Sequence, residues 1–142
     1  MKKVFFTLVL ISILFSCTPT IKKIESRPLF EVLTQRDNGG ASIRFFEILS
    51  EPNEIIMLQN DLKLKNKISP MDTQTSNFIV MNMGEKTTGG FKIEIESVVE
   101  TDKNIIVTTK EITPESSKIS TQEITTPYCV VKINSKKEII IK

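Results

Sequence analysis

The sequence predicts an α+β fold, mainly antiparallel β-sheet with one packed helix. Three observations lead there. Short apolar runs recur between clusters of Asp, Asn, Gly and Pro. One run, Phe91–Ser97 ("FKIEIES"), alternates apolar and polar residues without a break, the period of a half-buried antiparallel strand. A single stretch, Ser50–Leu62, carries a helical period instead.

Leu29–Gln35 ("LFEVLTQ") alternates in part and reads as a first strand. Arg36–Gly40 ("RDNGG") is a turn by composition, because Asp, Asn and Gly tolerate left-handed backbone. Ala41–Leu49 reads as a second strand. Ile43 and Phe45 fall on one face, Phe46 and Ile48 on the other, which implies burial on both sides or a bulge. Ser50 then reads as a helix N-cap, with Glu51, Pro52 and Glu54 suited to the first turn. Ile55, Leu58 and Leu62 form one apolar stripe, widened by Ile56 and Met57. This predicts a helix of about three turns on one face of a sheet.

Lys63–Ser76 is polar, contains Pro70, and reads as a loop. Asn77–Met83 is a third strand, followed by the glycine-rich Gly84–Phe91 ("GEKTTGGF"). In the run after it, Phe91, Ile93 and Ile95 share one face, and Lys92, Glu94 and Glu96 the other. Asp102–Asn104 is a turn, and Ile105–Ile112 a strand that ends near Pro114. Ser120–Ile133 holds another strand, interrupted at Pro127, where proline belongs at a start, an edge or a bulge. Asn134–Lys137 is a last turn and "EIII" a short final strand. No internal repeat is present.

The N-terminus reads as an export signal. Met1-Lys2-Lys3 is basic, Val4–Phe15 is almost wholly apolar, and Ser16-Cys17 follows. The apolar run falls short of the roughly 20 residues of a spanning helix. Leu14-Phe15-Ser16-Cys17 resembles the bacterial lipobox, although Phe15 is bulkier than the usual residue there. The resemblance implies cleavage before Cys17 and a lipid on Cys17. The expected organisation is a signal peptide at 1–16, a tether at 17–28 with Pro19 and Pro28, and one α+β domain at 29–142. Thr18 is not the aspartate of the inner-membrane retention signal of enteric bacteria, and no acidic cluster follows Cys17. These features predict an outer-membrane lipid anchor facing the periplasm, with exposure at the cell surface as the alternative.

Loss of Lys2 and Lys3 with the signal leaves cations and carboxylates in balance, so no nucleic-acid partner is expected. Lipidation at Cys17 would leave Cys129 alone, as a small buried apolar side chain. Without lipidation, a disulfide between them stays open.

The chain has no histidine, which excludes Ser-His-Asp and Cys-His catalysis and the usual zinc ligand sets. No catalytic residue, metal or cofactor is expected. With no Trp and one Tyr, Tyr128, a carbohydrate platform of stacked aromatics is not expected either. Gly84–Phe91 fails as a phosphate loop. Gly84 and Gly89 have Walker spacing, but Gly90 replaces the lysine, and a strand follows instead of a helix. The expectation is a hairpin connection whose glycines supply positive φ. Glu94 and Glu96 could form an acid/base pair, but the clean alternation makes them a solvated strand face. The Thr/Ser-rich Thr113–Thr126 reads as loop and strand edge.

"MGEKTTGGFKIEIESV", "IIVTTKEITP" and "TTPYCVVKI" together resemble the C-terminal domain of the PrcB family, over about residues 77–133. Gly84, Thr88, Gly89 and Gly90 match that family's Gly-x-x-Pro-Thr-Gly-Gly-Tyr loop. Thr87 replaces its proline and Phe91 its tyrosine. Pro114, Pro127 and Tyr128 match later landmarks. The resemblance implies a non-catalytic, membrane-anchored accessory subunit of a cell-envelope protease complex. The candidate interaction loop is then Thr87, Thr88, Gly89, Gly90 and Phe91. The alternatives are a chagasin-like protease inhibitor presenting 87–91, and an envelope lipoprotein with a purely structural role. "TTGGF" has one glycine more than the Thr-Thr-Gly-aromatic loop of chagasin-type inhibitors, and the Trp of their other loop is absent.

Overall fold

A computed structural model describes residues 27–115 and 122–142. The expected signal peptide, Cys17 and most of the expected tether lie outside the described residues. The elements are β1 (Phe30–Arg36), β2 (Arg44–Leu49), α1 (Pro52–Gln59), α2 (Asp72–Thr75), β3 (Asn77–Met83), β4 (Lys92–Glu100), β5 (Asn104–Ile112), β6 (Tyr128–Ile133) and β7 (Glu138–Ile141).

The apolar pattern of each strand reports how many of its faces are covered. β3 and β6 are buried almost throughout. They are the inner strands of a four-stranded sheet ordered β1-β6-β3-β2, here sheet 1. All its pairs are antiparallel. One face of β3 and β6, with Ile79, Met81, Met83, Cys129, Val131 and Ile133, meets a second sheet. The other face, with Phe78, Val80, Tyr128 and Val130, lies under α1 and the chain that follows it.

Sheet 2 has three strands in the order β4-β5-β7. Ile93, Ile105, Val107 and Ile139 project from it into the inter-sheet core. Its strands alternate because only one of their faces is covered. Each fully buried Ile or Phe in the two cores contributes about 1.5–3 kcal/mol.

The mainly antiparallel sheet matches the expectation, with differences in detail. The pair β5–β7 is parallel. Instead of one packed helix, the described residues hold two short ones, of eight and four residues. The cap of α1 is Glu51, not Ser50. Glu51 and Glu54 form a capping box, in which Glu54 Oε2 accepts from the backbone N–H of Ser50 and of Glu51, both at 3.1 Å. α1 buries Ile55 and seats Leu58, but stops before Leu62, which is 88% exposed. The chain turns at Asp61, whose Oδ1 accepts from Lys63 N at 2.8 Å, a local bond that competes with helix continuation. That turn delivers Leu64 and Ile68, in the stretch that reads as polar loop, into the core beneath α1. The second strand also begins later than its sequence suggests, at Arg44 instead of Ala41. Among the described residues no helix is long and apolar enough to cross a membrane.

Candidate functional site

Sheet 1 has distinct ends. Phe30 and Asn77 both lie opposite Ile133, while Arg36 and Asn82 both lie opposite Tyr128. The chain therefore enters at the first end, and Gly84–Phe91 leaves at the second.

Gly84 turns the chain out of β3 with φ +74°. A Cβ there would stand 2.9 Å from the backbone nitrogen of Arg44, so only glycine fits. Glu85 N donates to Ser42 O at 3.0 Å. Lys86 exchanges two backbone hydrogen bonds with Thr125, of 2.8 and 2.9 Å. Thr125 Oγ1 donates to Thr88 O at 3.0 Å. Lys86 Nζ lies 5.3 Å from the centroid of the Phe91 ring, within cation–π reach. Gly90, with φ +91°, packs where a Cβ would stand 2.9 Å from Pro114 Cβ.

The stretch is not a hairpin. β3 pairs with β2 and β6, whereas β4 pairs with β5. Gly84–Phe91 instead carries the chain from sheet 1 to sheet 2. The positive φ values expected of its glycines occur at Gly84 and Gly90.

Residues 37–43 close the same end. Thr126 Oγ1 accepts from Gly39 N at 3.0 Å and donates to Asn38 Oδ1 at 2.8 Å. Gly40 N donates to Thr126 O at 3.0 Å. Beneath them Asn82, 1% exposed, accepts from Ala41 N at 3.0 Å and donates to Ala41 O at 2.8 Å. Three segments, 37–43, 84–91 and 122–127, are thus tied into one end surface. Its exposed side chains include Ile43, Glu85, Thr87 and Ile124.

Of the candidate loop residues, Thr87 alone is exposed. Gly89 is buried, while Thr88, Gly90 and Phe91 are half-buried. Phe91 packs against the inter-sheet core. Cys17 lies outside the described residues. Sequence reasoning missed Asn82, Thr125 and Thr126. A buried asparagine in the apolar run "NFIVMNM" was the available signal.

Glu94 stands opposite Lys110, and a register shift between Ile95 and Ser97 separates Glu96 from it. The Cys129 thiol is pushed up to about 12 by desolvation in the inter-sheet core, which keeps it an unreactive thiol. Among the described residues no group of His, Cys, Asp and Glu could hold a metal. At the opposite end, a cleft of about 390 Å³ contains Lys132, Glu31 and Asp72. Lys132 Nζ lies 3.0 Å from Glu31 Oε2 and 3.8 Å from Asp72 Oδ2, and Arg27, Lys65 and Lys67 also line the cleft.

Residues 77–134 match the family model described as PrcB C-terminal. The match runs from β3 through β6 and includes the whole glycine-rich crossover. It agrees with the resemblance carried by the sequence motifs over 77–133. No curated protein and no solved structure matches the chain.

Proposed function

We propose that this chain is a non-catalytic, lipid-anchored accessory subunit that supports a protease of the cell envelope. The observation that carries the reading is the PrcB C-terminal match over 77–134. The sequence adds Cys17 behind a short apolar leader, and the absence of histidine. The geometry is consistent with a binding role. The crossover that best marks the family lies at the end of sheet 1 remote from the point where the chain enters. A subunit tethered through Cys17 to the periplasmic face of the outer membrane would hold that surface away from the lipid.

The loop gives little support to the inhibitor alternative, since Gly89 is buried and the Thr88 carbonyl is engaged by Thr125. Affinity capture of the tagged full chain from solubilised membranes tests the proposal. Co-recovery of a protease is expected, reduced when Thr87 is replaced by a bulky charged residue. Capture that recovers no protease would sink it. The anchor is tested separately: Cys17→Ser should abolish incorporation of labelled fatty acid and release the chain from the membrane fraction.

A further inference from the structure

Sheet edges are templates for further strands, and folded chains blunt the edges they do not use. Among the described residues the edges are β1 and β2 in sheet 1, and β4 and β7 in sheet 2. Three of these four are blunted. β1 has a bulge between Val32 and Thr34 and a charge pair, Glu31 to Lys132. β4 has a bulge between Ile95 and Ser97 and the charged row Lys92, Glu94, Glu96. β7 is only four residues long.

β2 has no bulge, and its charge pair, Arg44 to Glu111 at 2.7 Å, is confined to the first residue of the strand. It pairs with β3 from Arg44↔Met83 to Leu49↔Phe78 with no shift in register, and contains no proline. Its apolar side chains reach solvent: Phe45 and Ile48 are each 36% exposed, and Ile43, just before the strand, 75%.

Beside this edge lies a groove of about 330 Å³ between β2 and α1. Phe45, Met57 and Val80 form part of its apolar floor, and Glu47, Glu54 and Asp61 supply its charges. No lysine or arginine lines it. The two faces of β2 therefore differ. Phe45, Glu47 and Leu49 stand opposite Asn82, Val80 and Phe78, on the groove side. Phe46 and Ile48 stand opposite Met81 and Ile79, on the inter-sheet side.

We infer that β2 is a strand-addition site for an extended segment of a partner protein in which Lys or Arg alternates with apolar residues. The segment's backbone continues the ladder of sheet 1. Its basic side chains lie over Phe45 and Met57 and bring their cationic heads to Glu47, Glu54 and Asp61. Its apolar side chains extend the inter-sheet core beyond Phe46 and Ile48. An acidic segment meets like charge in the groove. This inference does not depend on protease association, and it names no part of the glycine-rich crossover.

The test uses the full chain and a fluorescent peptide of about nine residues alternating Lys and Val, long enough to span β2. Fluorescence anisotropy should show one saturable site per chain. Replacing the peptide's Lys by Glu, or introducing Glu47→Lys in the protein, should each weaken binding by about tenfold or more. N-methylation of one alternating set of peptide amides should abolish binding while the other set is tolerated, since a strand bonds its neighbour through every second residue. Equal binding of the Lys and Glu peptides overturns the inference, as does indifference to both methylation patterns. So does a dimer of the full chain that Ile48→Lys converts to monomer, because a second copy then occupies the edge. Peptide binding that appears only after deletion of residues 18–26 overturns it in favour of the chain's own lead-in.

Discussion

Asn82 sits in a strand whose neighbours are apolar, and its amide takes both backbone groups of Ala41. Buried polar groups cost stability unless paired, so this side chain and the backbone it holds depend on each other. Asn82→Ala should lower the unfolding free energy by about 1–3 kcal/mol. It should also speed amide exchange at Ala41, read by denaturant titration and hydrogen exchange. Cys129 makes a different kind of contribution. Its thiol titrates near about 12 in the folded chain, against an ordinary value of 9.0. The unfolded chain therefore gives up this proton first as pH rises, and stability present below about pH 9 drains away toward about pH 12. The denaturation midpoint should fall between about pH 8 and about pH 10.5 more steeply in the native chain than in Cys129→Ala.

At the scale of the element, the segment after α1 acts as a lid on sheet 1, with Leu64 and Ile68 as its buried side chains. Leu64→Ala should cost about 2–5 kcal/mol, as a fully buried leucine does. Leu62→Ala should change stability by no more than about 0.5 kcal/mol. The two midpoints in urea check this directly. The period of Ile55, Leu58 and Leu62 pointed the other way, because an Asx-type bond at Asp61 ends the helix before the stripe is used. Local signals worked where burial has a simple period. "NFIVMNM" is apolar because β3 is covered on both faces, and "FKIEIES" alternates because β4 is covered on one. Neither pattern says which strand will be a neighbour. β1 pairs with β6, almost the whole domain away in sequence, and β3 and β4 fall in different sheets. That partition turned an expected hairpin into a crossover. At the candidate site, sequence marked Gly84 and Gly90, which need positive φ, but not that Thr87 alone would be exposed. Exposure there depends on Thr125 and on residues 37–43, which periodicity does not reach.

The molecule as a whole is built from distant pairings. β1, the first strand, pairs with β6, the second to last, and the last strand, β7, returns beside β5. Such topologies fold slowly for their size, since chain entropy must be lost before the contacts form. Refolding from denaturant should take about a millisecond to seconds. Stopped-flow measurements on Tyr128 fluorescence read this directly, and a microsecond phase carrying the full amplitude would contradict it. The same arrangement has a mechanical side. The chain enters at the Phe30 end of sheet 1, and the glycine-rich crossover lies at the other, one strand length or about 20 Å away. A pull between these points runs along the strands. It loads the rungs of the β1–β6 ladder together, in shear, instead of peeling them apart one by one. A tug on the lead-in is thus carried by the whole sheet before any single bond has to yield.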